Sequence, residues 1–363
     1  MNLQRLFLCL TVTAWLSDGA LPMAVAAAPV PEPAPKRAAS PYDPTQPLTA
    51  PAPDVPKSAD QKRPAPGAPA STIQLPAAST SPLTRTGPAP LAANTKSFIW
   101  EVKSATNVVY LFGTIHVGKR AFYPLPEPVE TAFDNSTRLV VEADVSSQAA
   151  SGDVASLVGY ASPDTLDRHI PIALFERLKA QLVRLRIPTA AVQPMKPFVA
   201  GGFLSVVEYS RLGYDMNLGV DAYLVSRARD AKKPIEELES ARAQLELLSN
   251  MSAELQEAFL DNAISTLEHD KAADQVTGMV NAWQTGDARL MADVTQDVNK
   301  GMRLGSQLDE ILLYGRHDAM VKKIEGYLAG KEPCFVGVGS LHLVGPRGLV
   351  QALKSRGYEV NQK

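Results

Sequence analysis

Of the five histidines in the chain, two stand in the same local setting. His116 lies in "YLFGTIHVG" (110–118) and His342 in "CFVGVGSLHLVG" (334–345). Each comes at the end of an apolar run and three positions after a glycine, Gly113 or Gly339. A third apolar run, "LVVEAD" (139–144), closes on Glu142 and Asp144. Two imidazoles and a carboxylate brought to one point form a ligand set for a divalent transition metal such as zinc, manganese or cobalt. The same residues also suit a metal-independent centre, with His116 as general base and carboxylates orienting it. Taken singly, a histidine at a strand end is more often a satisfied structural residue. The recurrence of the pattern, with an acidic strand end beside it, is what points to a shared site.

The elements that would position these groups can be read from hydrophobic periodicity. "SFIWEVKS" (97–104) and "NVVYLFGTIH" (107–116), separated by two residues, predict a β-hairpin. "PEPVETAFDNS" (126–136) opens with proline and acidic residues, as a helix N-terminus does. "RLVVEADV" (138–145) predicts a strand and "LGVDAYLVSRARDAKK" (218–233) a helix leading into a short strand, "PIEELES" (234–240). A long helical tract follows to about 329, and "PCFVGVGS", "GPRGLVQALKSRG" and "YEV" predict a closing β-α-β unit. Strands at both ends with helices between them give an α/β (α+β) domain. Its expected form is a central, mostly parallel or mixed sheet carrying a large helical insertion that could serve as a lid. In such sheets ligands bind beyond the carboxyl ends of the strands, which is where His116, Glu142 and His342 would stand.

Composition narrows the function classes. A formal net charge of −2 offers no nucleic-acid footprint. Two cysteines, Cys9 and Cys334, exclude a disulfide scaffold and a cysteine-rich zinc site. The start "MNLQR", the apolar run "LFLCLTVTAWL" and the small residues before Ala28 predict a secretory signal over 1–28. Residues 29–95 read as a disordered Pro/Ala-rich linker, because 17 of the 29 prolines fall between 29 and 90. The folded domain is expected over 96–363, in a periplasmic or secreted protein. The alternative is an uncleaved anchor in the inner membrane facing the periplasm. The linker gives possible membrane or cell-wall proximity.

The quoted motifs, with "WEV" before the first histidine and "LGVDAYL", "KKPIEELESARAQLELL", "WQTGD" and "GRHDAM" between the two, resemble the TraB/GumN family. That family includes the Tiki proteases and the bacterial pheromone-shutdown proteins. The resemblance spans about Phe98 to Val360 and implies a fold like that of the erythromycin-esterase (EreA), ChaN and Tiki proteins. It implies a metal-dependent hydrolase, a metalloprotease acting on a peptide or protein outside the cytoplasm. His116, Glu142 and His342 would hold a divalent metal (Mn, Co or Zn). Asp144 or Glu239 would serve as general base, and Arg316 would stabilise the developing oxyanion. Two motifs depart from the family pattern: Arg316-His317 stands for Arg-Asn, and Gly-Ser-Leu-His for Gly-Ala-Gly-His. Within the same class of scaffold, a non-catalytic binding protein for a peptide, haem or another small ligand remains the alternative. Asp221 reads mainly as a helix cap or local partner, His317 as structural, and His169 and His269 as surface residues.

Overall fold

The computed structural model describes residues 96–144 and 154–363. The expected signal segment (1–28) and linker (29–95) lie outside the described residues. Six strands form one mixed sheet in the order β4-β3-β5-β2-β1-β6. They are β1 (Ile99–Lys103), β2 (Val108–Thr114), β3 (Arg138–Val141), β4 (Ile235–Glu237), β5 (Cys334–Gly339) and β6 (Glu359–Gln362). β1 and β2 make the expected antiparallel hairpin, with Ile99 opposite Phe112. β2, β5, β3 and β4 run parallel to one another, so their carboxyl ends share one edge.

The sequence of β5, CFVGVG, explains why it is central. It is buried at every position, as a strand covered on both faces must be. Register then aligns the two glycine-bearing strands, pairing Gly113 with Val338 and Thr114 with Gly339. A Cβ on Gly113 would run into the Phe98 ring and the Ser340 hydroxyl, so the strand end approaches its neighbours more closely than another residue allows.

Helices α1 (Glu127–Asp134) and α4 (Val220–Asp230) pack on the sheet. Between β3 and α4, α2 (Ile172–Leu185) and α3 (Pro197–Arg211) begin the insertion. After β4 it continues through α5 (Ala241–Ser249), α6 (Ala253–Glu268), α7 (Ala272–Gln284), α8 (Ala288–Lys300), α9 (Gly305–Leu312) and α10 (His317–Leu328). α11 (Leu349–Ser355) precedes β6. Apolar residues of α2, α3, α5, α6 and α9, among them Leu178, Phe198, Leu245, Phe259 and Leu308, form a core of their own. A second core wraps the sheet and takes in Trp283 of α7. Trp283 donates its indole N–H to the carbonyl of Gly113 at 2.7 Å, which ties the insertion to the end of β2. Among the described residues no helix is long and apolar enough to cross a membrane.

Two local features differ from the sequence expectation. β3 stops at Val141, so Glu142 follows the strand rather than lying in it. His342 stands in a one-turn helix, Ser340–Leu343, directly after β5, where a glycine at the end of an apolar run suggests a loop. In both cases the side chain still leaves from the carboxyl edge of the sheet.

Candidate functional site

At the end of β2 the backbone is strapped to the start of α4. The Val220 N–H donates to the Ile115 carbonyl at 2.8 Å, and Gly118 and Asp215 exchange backbone bonds of 2.9 Å. A Cβ on Gly219 would overlap the His116 carbonyl oxygen, so only glycine permits this approach. The strap brings Asp221, in the first turn of α4, to His116. His116 Nδ1 makes a short hydrogen bond to Asp221 Oδ2. The hydroxyl of Thr114 donates to Asp221 Oδ1 at 2.6 Å. With both carboxylate oxygens engaged the aspartate is fixed, and it selects the imidazole tautomer that carries its proton on Nδ1. Nε2 is then the basic nitrogen.

Beyond β3 and β5 lies a buried ionic cluster. Arg316 sits in the turn Tyr314–Arg316 between α9 and α10, supplied by the helical insertion as expected. Its Nη2 donates to Glu142 at 2.5 Å and makes a shorter bond to Glu239, while Nε reaches the two Glu239 oxygens at 3.0 and 3.1 Å. Its Nη1 donates to the Leu312 carbonyl at 2.7 Å and lies 3.4 Å from His342 Nε2. All five guanidinium N–H groups therefore have acceptors within reach. Glu142 also accepts from Gln244 at 2.9 Å and from the Gly339 N–H at 3.2 Å. His342 is fully buried, its Nε2 3.6 Å from Glu142 Oε2 and its Nδ1 2.9 Å from His317 Nε2.

The electrostatics follow from this packing. Burial alone would raise the Glu142 carboxyl, but the Arg316 guanidinium above all holds it well below the usual carboxylate range. The pairing of β2 with β5 as far as Thr114 and Gly339 puts the imidazole–aspartate pair on the strand end next to the cluster. Burial pulls the Arg316 guanidinium down, and Glu142 and Glu239 more than restore it. Burial lowers His342 despite Glu142, and burial with the nearby His342 lowers His317 to about 3. Both are therefore neutral imidazoles near pH 7.

Of the residues singled out in the sequence, Glu142, Glu239, Arg316 and His342 meet directly, and His116 follows the neighbouring strand end of β2. Asp144 instead bonds Arg229 at 3.2 Å and, through its backbone N–H, Glu237. His169 stacks on Tyr160 and pairs with Asp164, and His269 bonds the Ser265 carbonyl, both at the surface. Asp221, His317 and Gln244 take larger parts than the sequence reading gave them. The signal for Asp221 was its place two residues after the glycine of "LGVD". Gln244, one turn into the helix that follows Glu239, carried none.

A metal ion implied by the family has a clear test in the donor set. Among the described residues no group of three or more histidine, cysteine, aspartate or glutamate side chains is arranged to hold one. Glu142 is committed to Arg316, Gln244 and the Gly339 N–H, and His342 Nε2 faces a guanidinium, which repels a cation. As arranged, the site does not fit a metal bound jointly by His116, Glu142 and His342.

The family profile described as TraB/PrgY/gumN family matches residues 98–362. The chain belongs to this family. It is 24% identical over 245 residues to the uncharacterized protein YbaP of Escherichia coli (strain K12), covering 68% of this chain and 87% of YbaP. It is 22% identical over 320 residues to a protein of Amphimedon queenslandica named metalloprotease TIKI homolog, covering 74% of this chain and 62% of that protein. No solved structure matches the chain.

Proposed function

We propose that this member of the TraB/PrgY/gumN family is a hydrolase of peptide bonds whose general base is His116 oriented by Asp221. One observation carries the reading: the imidazole–aspartate pair at the carboxyl end of β2, beside the buried Arg316–Glu142–His342 cluster. His116 would take a proton from an attacking water at Nε2, and Asp221 would stabilise the imidazolium that forms. Glu142 and Glu239 are clamped to Arg316, and the depressed carboxyl of Glu142 makes it a weak base. They suit the organisation of the site better than proton abstraction. Arg316, with every donor engaged, serves to hold the two carboxylates in place. The name of the sponge relative supports peptide bonds as the target class.

That name also supports a second reading, metal-dependent hydrolysis, with Mn, Co or Zn as the candidate ions, which the present donor arrangement does not favour. The basic start and apolar run at the N-terminus support export, so that the substrate would be a peptide or protein outside the cytoplasm.

The test is a peptide-library digest by the purified protein, read by mass spectrometry, with chelator and with each of the three metals in turn. Cleavage that survives chelator and is lost in Asp221→Asn supports the base mechanism. Cleavage restored only by a metal supports the second reading. Tight ligand capture without turnover under every condition would overturn both and leave the binding-protein reading.

A further inference from the structure

The contacts around His342 determine its tautomer, and they do so through a residue at which this chain departs from the pattern it resembles. A backbone carbonyl can only accept a hydrogen bond. The Arg347 carbonyl lies 2.8 Å from His317 Nδ1, so that nitrogen carries the proton. A neutral imidazole has one N–H, so His317 Nε2 is an acceptor. His342 Nδ1, 2.9 Å away, must then be the donor. The proton on Nδ1 leaves the lone pair of His342 on Nε2, the nitrogen 3.4 Å from Arg316 Nη1 and 3.6 Å from Glu142 Oε2.

The outer end of this chain is itself held. The Arg347 guanidinium lies over the Tyr314 ring, 4.0 Å from its centre, and pairs with Glu310 at 2.8 Å. Tyr314 stands edge-on to His317 with 5.6 Å between ring centres. The residue whose carbonyl sets the direction of the chain is thereby held in place.

We propose that His317 is a positioning residue: it holds the proton of His342 on Nδ1, so that the Nε2 lone pair is left to accept from Arg316 Nη1. A leucine there would leave His342 to choose either tautomer, and an Nε2–H form would turn a donor toward Arg316. A glutamine can reproduce the requirement, with its amide N–H toward Arg347 and its oxygen toward His342 Nδ1.

The assignment can be read without any turnover, so its failure is separable from failure of the hydrolase reading, on which only the activity measurement rests. Histidine-selective 15N labelling of the full chain, with His342→Gln used to assign the signal, reports which ring nitrogen is protonated. The expected result is an Nδ1–H tautomer for His342 in the native protein, a mixed or Nε2–H form in His317→Leu, and the Nδ1–H form again in His317→Gln. If a peptide substrate is in hand, His317→Leu should lose at least about tenfold in kcat with KM little changed, and His317→Gln should recover most of it. An Nε2–H tautomer in the native protein overturns the proposal, and so does an unchanged Nδ1–H tautomer in a folded His317→Leu protein. If the leucine variant does not fold, the native spectrum and the glutamine variant decide the matter alone.

Discussion

Asp221 and His116 lie 105 positions apart in sequence, yet the aspartate's Oδ2 and the histidine's Nδ1 share a hydrogen bond. The contact is imposed by backbone, not by chance proximity of two side chains. The Val220 N–H is bonded to the Ile115 carbonyl, and Gly118 and Asp215 pair on the other side of His116. Asp221 is thus placed to within the tolerance of a strand end and a helix start, which is the precision an orienting group needs.

Asp221→Asn should leave the fold intact and remove most activity. The asparagine amide can turn its N–H toward Nδ1 and so favour the wrong tautomer of His116. Loss of general-base function is expected to cost about 10²–10⁴-fold in kcat. Melting temperature should move little, because the Asp221 side chain is one-quarter exposed. Steady-state kinetics beside a thermal melt checks both halves. Full activity in the variant would sink the assignment of His116 as base.

Arg316 is expected to matter first for stability. Arg316→Met leaves Glu142 buried beside Glu239 with no countercharge, and breaking a buried pair in this way costs about 3–5 kcal/mol. Adding Glu142→Gln removes the stranded charge and should recover a large part of that loss. Denaturant titration of the two single variants and the double variant closes the cycle. Additive losses would mean that Arg316 and Glu142 are not coupled as the 2.5 Å contact implies.

Much of this arrangement is legible in the sequence because its causes are local. The hairpin of β1 and β2 shows as two apolar runs with a two-residue gap, and β5 shows as a continuous buried run. The convergence of His342 and Glu142 follows from parallel strands whose carboxyl ends share an edge. Asp221 was harder to recognise because an acidic residue in a first helical turn satisfies the helix dipole by itself, so the sequence offers no reason to seek a distant partner. The ion pairs of Arg316 depend on how the insertion folds back on the sheet, which no local period encodes. The strand expected over 138–145 ends already at Val141, because its length is set by pairing with the three-residue β4, a distant partner that no residue after Val141 announces.

Acid should destabilise the domain well above the range in which carboxylates titrate. His317 falls from an ordinary 6.5 to about 3 in the folded state, through burial first and then the neighbouring His342, Arg316 and Arg347. Its folded pKa is lower than its unfolded one, so between those values the unfolded chain binds the extra proton. Stability is therefore complete above about pH 6.5 and declines as pH falls, by about 1.4 kcal/mol per pH unit for one such group. His342 is shifted in the same direction and adds to the slope. Glu142, also depressed, contributes only once pH drops below its ordinary 4.5. Thermal melts from pH 7.5 to 5 should show a falling midpoint, and His317→Gln should flatten it. A midpoint flat across that interval would contradict the neutral, buried state of both imidazoles.

Two glycine-to-alanine changes separate the strap from ordinary backbone effects. Gly326 lies inside α10 with open space where a Cβ would go. Alanine there restricts the unfolded chain and improves helix propensity, so Gly326→Ala should stabilise by about 0.4–1 kcal/mol and leave activity unchanged. Gly219 precedes α4, and its added Cβ would overlap the carbonyl of His116 itself. Gly219→Ala must push the start of α4 away from the end of β2, which lengthens the Val220–Ile115 bond and draws Asp221 off His116. The expected result is a lower melting temperature together with a loss of activity approaching that of Asp221→Asn. The joint loss is the informative part, because a variant destabilised elsewhere would keep its rate per folded molecule. A Gly219→Ala protein that is less stable but fully active per folded molecule would show that the pairing of His116 with Asp221 does not depend on the backbone strap.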